Sequence, residues 1–238
     1  MRIALGRHPR PHRERFPDLE LVDLKPGAIV LDVGANAGDF SECVLAFQPW
    51  ARLILIEPLA EAQQELQRKF GAYDEVEIDE IALGTEDGER DFNVCGYDQV
   101  SSFLEPGAAS EARPYGIDFS RKERRTVKVR RLDHYLKERR VDHVDLLKLD
   151  VQGFELEVLR GAGGELDRID WIYAEAAFQE LYRGGALYSD LFGFLHARGF
   201  ELRRMASFRS DSEGRLLECD MLFRRRNRRA TGNPAAVP

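Results

Sequence analysis

The 238-residue sequence has little of what builds a disulfide framework, a zinc site or a membrane span. Its three cysteines, Cys43, Cys95 and Cys219, are odd in number, far apart and without C-x-x-C spacing, which signals neither disulfides nor zinc. No apolar run approaches the roughly 18 residues of a membrane helix, and the N-terminus has no apolar stretch typical of a secretory signal. We therefore expect a soluble, cytoplasmic protein without a membrane partner.

Positive charge is in excess only at the two ends of the chain, because acids outnumber lysines and arginines in the body. Five arginines lie in residues 1–15 and five in residues 224–238, while the chain as a whole has a net charge of -7, so the body is strongly acidic. Because an acidic body repels nucleic acid, we expect no nucleic-acid partner. We interpret residues 1–20 as a basic N-terminal segment, residues 21–224 as the folded domain and residues 225–238 as a disordered basic tail.

Short apolar runs alternate with helical patterns and predict the fold class. Apolar residues recur at helical spacing in residues 40–47, 154–162 and 186–198, and Asp39 with Glu42 is the pair expected for a capping box at the first of these helices. Runs rich in Val, Ile and Leu, typical of buried parallel strands, lie at residues 28–33, 52–57, 76–83, 143–150 and 169–176.

The end of the chain and one internal stretch complete this prediction. A strand after Gly199 and a last strand at residues 216–225 follow the final helix. The pattern favours an open, doubly wound, Rossmann-like α/β sheet, mostly parallel with an antiparallel C-terminal strand. Residues 84–131 break the alternation, and we expect an extra hairpin and a mobile loop there that cover the substrate side.

The loop after the first strand lacks the glycines of a dinucleotide fold. In the segment VLDVGANAGDFS, residues 30–41, alignment of G-x-G-x-x-G from Gly34 puts Asn36 and Asp39 at the second and third glycine positions. Asp32 and Asp39 would also repel a pyrophosphate, which disfavours NAD, FAD and ATP. The ligand at this loop is therefore expected to be cationic or neutral.

S-adenosylmethionine has that character, because it carries a sulfonium, an ammonium group and no phosphate. Gly34 and Gly38 would let the backbone approach its methionine moiety, and Asp32 would attract its ammonium group directly or through water. Glu57 ends the second strand, where an acid commonly accepts hydrogen bonds from ribose hydroxyls. Turn chemistry for Asp32 and a solvated strand end for Glu57 are the alternatives.

Six segments of the sequence resemble the FkbM family of S-adenosylmethionine-dependent methyltransferases: VLDVGANAGDFS, LIEP, IALGTEDGERDF, VRRLDHYL, VDLLKLDVQGFELEVLRGA and AEAAFQELYRGGALYSDLFGFLHARGFEL. The resemblance runs from about residue 22 to about residue 204. It implies the class I methyltransferase fold and an O-methyltransferase that acts on a hydroxyl of a small molecule, polyketide or sugar. The cofactor-binding residues that it and the loop imply are Asp32, Gly34, Ala35, Asn36, Gly38, Glu57, Pro58, Ala82, Leu83 and Asp150. The sequence departs from the family at Gln152, where Glu is frequent.

Two acids at strand ends are the candidate catalytic residues. Asp150 ends the fourth predicted strand and Glu175 lies near the end of the fifth, so both are expected to face the ligand side as base or substrate-orienting groups. A divalent cation between them is possible but not favoured, because a metal cage needs further ligands. Glu155 and His134 are secondary candidates, and the alternative for Asp150 is a cap of the helix that begins near Gly153.

The remaining signals narrow the acceptor and leave two rival functions open. Asp150 is not followed by the two prolines and aromatic residue of methyltransferases that modify amino groups of nucleic-acid bases. Phe178, Tyr182 and Tyr188 are candidates for an acceptor pocket, although such aromatics are more often core. The rivals are a catalytically silent cofactor-binding module and a nicotinamide-dependent oxidoreductase, the second disfavoured by Asn36 and Asp39.

Overall fold

The chain forms two sheets in a computed structural model, which describes residues 16–110 and 116–226, and the predicted apolar runs supply most strands of the larger one. The predictions for residues 1–15 and 227–238 lie outside the described residues. The strands are β1 Ile29–Val33, β2 Arg52–Ile56, β3 Val76–Asp79, β4 Ala82–Gly84, β5 Gly88–Cys95, β6 Arg121–Arg131, β7 Val144–Leu149, β8 Ile169–Ala177, β9 Phe200–Ser210 and β10 Leu216–Arg225.

The main sheet has seven strands in the order β3-β2-β1-β7-β8-β10-β9. Strands β3, β2, β1, β7 and β8 are parallel, and β10 runs antiparallel to both β8 and β9. The chain order reverses beside β1, whose neighbours are β2 and β7. Ligands of open α/β sheets bind beyond the carboxyl ends of the strands at such a switch point.

Helices with one apolar face cover the main sheet. In the first helix the buried residues Phe40, Cys43 and Val44 recur at helical spacing. None of the helices in the described residues is both long and apolar enough to cross a membrane. The helices are α1 Asp39–Phe47, α2 Ala60–Phe70, α3 Leu132–Glu138, α4 Glu155–Gly161 and α5 Tyr188–Ala197.

The continuous strand predicted at residues 76–83 is wrong, because the chain changes sheets within it. Strand β3 is the half-buried edge strand of the main sheet, whereas the fully buried β4 pairs in parallel with β6. Strands β4, β6 and β5 form a separate three-stranded sheet. The break could not be predicted from the sequence, because β3 and β4 both contribute apolar side chains to the interior and therefore form one apolar run.

The predicted capping box of α1 is also wrong. The helix begins at Asp39, so Asp39 is its first residue and Gly38, with φ of 80°, is the N-cap. The carboxylate of Asp39 lies 3.6 Å from the ammonium group of Lys69 on α2. Asp39 therefore forms an ion pair between α1 and α2 instead of capping α1.

The folded domain includes residues that we assigned to the basic N-terminal segment. Residues Pro17–Leu21 form a short 3-10 helix. Leu19 and Val22 are buried in the core on the α1 side of the sheet, and the buried Asp18 is 2.8 Å from Nε of Arg204 on β9. These contacts hold the start of the described chain against the main sheet, and the ion pair with Arg204 reaches its edge strand β9.

Candidate active site

A cavity of about 440 Å³ lies at the carboxyl ends of the central strands. One wall is the loop after β1, and the cover is supplied by the connection between β5 and β6 in residues 97–103 and by Ile117 and Phe119. The stretch that interrupts the alternation in the sequence thus lines the same cavity as the loop after β1. Of the predicted site residues, the cavity is lined by Gly34, Ala35, Asn36, Glu57, Pro58, Ala82, Leu83, Asp150 and Glu175.

The glycines of the loop allow backbone segments to approach each other. Gly34 has φ of 74°, and a Cβ built on it would lie 1.9 Å from the carbonyl oxygen of Asp150. Gly38 does not line the cavity, and a Cβ there would lie 2.4 Å from the ring of Phe70. The absence of a side chain at Gly34 therefore allows the loop after β1 to pack against the end of β7. The absence of a side chain at Gly38 allows the start of α1 to pack against α2.

Gly34→Ala should lower the free energy of unfolding more than the same substitution at another glycine with positive φ. Gly27 has φ of 82°, but a Cβ added to it would meet no atom within 4 Å, so Gly27→Ala costs only the backbone strain of about 1–2 kcal/mol. Gly34→Ala adds the collision with Asp150 and should cost at least about 2 kcal/mol more. Urea unfolding measures both variants, and equal losses would contradict this role of Gly34.

Asp32 lies beneath the cavity and does not line it. It is fully buried, its Oδ2 accepts a 2.7 Å hydrogen bond from the Ser41 hydroxyl, and its Oδ1 is 3.0 Å from Nζ of Lys148. The carboxylate of Asp32 thus contacts the ammonium group of Lys148, and attraction of a ligand ammonium group by Asp32 stays a prediction.

Lys148 is a site residue that sequence reasoning missed. Its ammonium group lines the cavity, donates a 2.7 Å hydrogen bond to the carbonyl oxygen of Gly34 and lies 3.7 Å from Oδ2 of Asp150. Burial lowers the pKa of this lysine, but the carboxylates of Asp32 and Asp150 raise it more, so the net shift is upward. The signal in the sequence was a lysine between leucines at the buried end of β7.

Glu57 has a buried carboxylate with room for further hydrogen bonds. Its oxygens accept bonds from the backbone N–H groups of Asn36 at 2.9 Å and Leu59 at 3.0 Å. Burial raises the pKa of Glu57 to about 7, against the lowering effect of these two donors. Each carboxylate oxygen has a second acceptor site, and Glu57 lines the cavity.

Asp150 and Glu175 are brought together by one side chain. The amide nitrogen of Gln152 donates to Oδ1 of Asp150 at 2.7 Å and to Oε2 of Glu175 at 2.8 Å. Since carboxylates accept hydrogen bonds, the NH₂ group of the amide must face both acids. Its oxygen then accepts the hydroxyl of Tyr182 at 2.6 Å. Gln152, whose role the sequence left open, is the bridge of the acid pair.

Glu175 is also joined to a second cluster of charges from the end of the chain. Arg209 on β9 donates to Glu175, and its Nε donates to Oε1 of Glu218 at 2.6 Å. Asp220 faces the same cavity and accepts a 2.7 Å hydrogen bond from the hydroxyl of Tyr173. Sequence reasoning missed this cluster, whose one signal was two acids two residues apart in the apolar strand β10.

The secondary candidates lie elsewhere. His134 does not line the cavity and contacts Asp87 at 2.5 Å. Glu155 accepts hydrogen bonds from the backbone N–H groups of Val151 and Gly153, and burial raises its pKa to about 7. Glu155 thus shapes the loop after β7. Asp150 is not the cap of α4, which begins at Glu155 after the N-cap Phe154 and has no side-chain cap bond.

None of the three aromatic residues proposed for an acceptor pocket lines the main cavity. Tyr182 is buried in a core cluster with Phe119. Phe178 and Tyr188 contact each other at the surface, with ring centres 4.7 Å apart. The aromatic side chains of the cavity come instead from Phe16, Phe40, Phe92, Tyr97, Phe103, Phe119 and Tyr173.

Among the described residues, one group has the geometry to hold a metal ion, and it is distant from the acid pair. It consists of His143, Asp145 and Asp170, which lie around the amino ends of β7 and β8. Asp150 and Glu175 lie near the carboxyl ends of the same two strands. The divalent cation considered for these two acids stays a hypothesis.

The fold and this acid-rich cavity at the switch point define a class I methyltransferase. A family model described as the methyltransferase FkbM domain matches residues 32–202, so the chain belongs to the FkbM methyltransferase family. It is an S-adenosylmethionine-dependent methyltransferase.

Two curated relatives and one solved structure are among the proteins that are similar to the chain. It is 30% identical over 181 residues to the 2-O-methyltransferase NoeI of Sinorhizobium fredii, an alignment that covers 73% of this chain and 71% of that protein. It is 24% identical to the methyltransferase sdnD of Sordaria araneosa, covering 81% of this chain and 82% of that protein. An rRNA methylase structure from Streptococcus thermophilus shares the fold, with TM-score 0.50, 10% identity and coverage of 91% and 97%.

Proposed function

We propose that this enzyme transfers the methyl group of S-adenosylmethionine to a hydroxyl oxygen of a small molecule or sugar. The observation that carries this proposal is the acid pair Asp150 and Glu175, held by Gln152 in the same cavity as the buried Glu57. A carboxylate beside a reacting hydroxyl supplies the base that O-methylation needs. The similarity to NoeI, named as a 2-O-methyltransferase, supports a hydroxyl acceptor.

The residues on the β1 and β2 side of the cavity fit the cofactor. Glu57 would accept hydrogen bonds from the ribose hydroxyls through its remaining acceptor sites. The apolar side chains of Ile81 and Leu83, with Ala82, would pack against the adenine. Lys148 is a cation beside the glycine loop and would attract the methionine carboxylate. None of these contacts requires a phosphate.

The chemistry then depends on orientation and on one proton transfer. When bound, the cofactor supplies the methyl group, and its sulfur keeps the electron pair of the broken C–S bond. Asp150 would accept the proton of the acceptor hydroxyl while the oxygen forms the new C–O bond. Gln152 holds Asp150 in place, and Glu175 would orient the acceptor from the neighbouring strand β8. Alignment of the reactants contributes the larger part of the rate.

A transfer assay tests this function. The full chain is incubated with methyl-labelled S-adenosylmethionine and a panel of hydroxylated sugars and alcohols, and the linkage of the label is determined. We expect the label in an ether that resists mild acid and base. Transfer to carboxylates or amines alone, or no transfer to any member of the panel, would contradict the proposal.

Cofactor affinity should fall as the pH is lowered through 7. Because the pKa of Glu57 is raised to about 7, its carboxylate is charged above that pH and neutral below it. The charged form accepts hydrogen bonds from ribose hydroxyls more strongly, so binding of S-adenosylhomocysteine should weaken by up to about tenfold from pH 8 to pH 5.5. Calorimetry measures this change. Glu57→Gln should bind more weakly with a nearly flat profile, and an unchanged slope would contradict the assignment.

A further inference from the structure

The backbone of Gln152 is held in a conformation that residues with side chains rarely adopt. Its φ of 55° lies in the left-handed region. The hydroxyl of the buried Ser102 donates a 2.7 Å hydrogen bond to the carbonyl oxygen of Gln152. Such conformations persist where the surrounding structure over-determines them, and they cluster at functional sites. The backbone of Gln152 is therefore fixed beside Asp150, and the orientation of its amide depends on the contacts of the side chain.

The side-chain amide of Gln152 has two possible orientations, which differ by exchange of its oxygen and nitrogen. In the structure the two protons of the NH₂ group match two acceptors, Asp150 and Glu175, and the oxygen faces the hydroxyl of Tyr182. The reversed orientation would place the amide oxygen against both carboxylates, which repel it unless they are protonated. The group that faces the amide oxygen thus sets how strongly the observed orientation is preferred.

Tyr182 supplies a proton donor to this oxygen. Its hydroxyl lies 2.6 Å from Oε1 of Gln152 and 3.0 Å from the carbonyl oxygen of Val100. A phenol has one proton, so it donates to one of these oxygens at a time, and the shorter distance favours Gln152. Burial raises the pKa of Tyr182 well above its usual value, with Glu175 adding to the effect, so the phenol keeps its proton at neutral pH.

The ring of Tyr182 packs against the cover of the cavity. It is buried in one apolar cluster with Val100 and Phe119, both of which line the cavity. Tyr182 itself does not line the cavity. The phenol therefore connects the cover with the acid pair through Gln152, and it can orient the acids without touching the reactants.

We propose that Tyr182 is a positioning residue for methyl transfer, because its hydroxyl proton holds the amide of Gln152 with the NH₂ group toward the acid pair. This inference rests on the proposed function. With the amide so oriented, Asp150 is kept as a charged hydrogen-bond acceptor that faces the cavity. Without the phenol proton the amide can turn over, and Asp150 loses a hydrogen bond that favours its charged form.

The pH profile of kcat reports this loss. Other charged or titratable side chains act on the acid pair from β7, β8, α4, β9 and β10, namely Lys148, Tyr173, Glu155, Arg209, Glu218, Cys219 and Asp220. They are the same in the parent and in Tyr182→Phe, so a difference between the two profiles comes from the hydroxyl. Since loss of a donor disfavours the charged carboxylate, the rising limb should move to higher pH in Tyr182→Phe.

Tyr182→Phe keeps the ring and removes the hydroxyl. We expect kcat to fall by about tenfold near pH 7 and the rising limb to move by about one pH unit, with KM for S-adenosylmethionine changed by less than about threefold. In a Gln152→Met background the same substitution should change kcat by less than about twofold, because Tyr182 acts through Gln152. Equal factors in the two backgrounds, or an unmoved profile, would overturn the inference.

Tyr135→Phe is the matched control. Tyr135 is a buried tyrosine outside the cavity whose hydroxyl donates to the carboxylate of Asp79. Its substitution removes the same group from the interior of the protein, so it measures the general cost of a lost buried hydroxyl. We expect kcat within about twofold of the parent and an unchanged pH profile.

A measurement without turnover decides the same question. In the full chain saturated with S-adenosylhomocysteine, NMR should show the side-chain NH₂ protons of Gln152, assigned by their loss in Gln152→Met, exchanging slowly with water. Tyr182→Phe should speed this exchange at least about tenfold, and Tyr135→Phe should not. The same exchange rate in Tyr182→Phe and the parent would overturn the inference. Methyl transfer by the parent to nitrogen alone, or to no acceptor, would instead contradict the proposed function and leave this readout standing, so the two failures are distinguishable.

Discussion

Asp150→Asn should slow methyl transfer to a hydroxylated acceptor by roughly 100-fold or more, the usual scale for loss of an acid/base group. The substitution preserves shape, because the amide oxygen of asparagine can still accept the hydrogen bond from Gln152. It removes the base, because a neutral amide does not take the hydroxyl proton. Steady-state kinetics should therefore show a fall in kcat, with S-adenosylhomocysteine affinity changed by less than about threefold.

A matched control is available at the other end of β7, the strand that Asp150 follows. Asp145 lies at the amino end of β7, where its Oδ2 accepts a 2.8 Å hydrogen bond from the backbone N–H of Ile29. Asp145→Asn removes one carboxylate from β7 without approaching the cavity, so its kcat should be close to that of the parent enzyme. Full activity of Asp150→Asn would leave Asp150 a structural residue and direct attention to Glu175.

Lys148→Met should cost about 3–5 kcal/mol of unfolding free energy, because it leaves the fully buried Asp32 without its cation. Methionine has a similar length and can fill the space. The hydroxyl of Ser41 would then be the remaining side-chain partner of Asp32. Urea unfolding measures the loss directly.

A double-mutant cycle separates the charge effect from lost packing. Asp32→Asn combined with Lys148→Met removes both charges, so the double variant should be more stable than Lys148→Met alone. If the double variant loses as much as the two single variants together, the two side chains do not act as a pair. If Lys148→Met is as stable as the parent, the buried charge is not compensated by Lys148.

The side of the cavity formed by the loop after β1 and by Glu57 could be predicted, because its signals are local in sequence. The loop at residues 34–38 and Glu57 follow the first two strands directly, and parallel strands bring their carboxyl ends together. The missing dinucleotide glycines and the acids of the loop were enough to favour a ligand without phosphate. The family model over residues 32–202 and the similarity to NoeI agree with that interpretation.

The roles of other residues depend on strand pairing, which the sequence does not display. Lys148 meets Asp32 because the register of β1 and β7 pairs these two residues, 116 positions apart. The Arg209 cluster depends on the irregular pairing of β9 with β10, where the register shifts and Ser207 has φ of 52°. Long-range register and bulges of this kind are set by tertiary packing.

Short-range patterns also misled in two places. Residues 76–83 were one apolar run, yet β3 and β4 belong to different sheets. Tyr182 stood in an aromatic segment that suggested an acceptor surface, but its hydroxyl donates to Gln152 from within the core. In each case the pattern predicted correctly that side chains are buried, but it did not predict which part of the protein they pack against.

Titration of the full chain with S-adenosylhomocysteine and with NAD, by calorimetry, tests the central claim most directly. The cavity predicts binding of one S-adenosylhomocysteine per chain and no binding of NAD. Glu57→Ala should weaken the binding by about 1–3 kcal/mol, as loss of a charged hydrogen-bond partner does. The control Glu65→Ala, at a half-exposed acid on α2 paired with Arg68, should leave it unchanged. Binding of NAD, or S-adenosylhomocysteine affinity that is the same in the parent and in Glu57→Ala, would contradict the account.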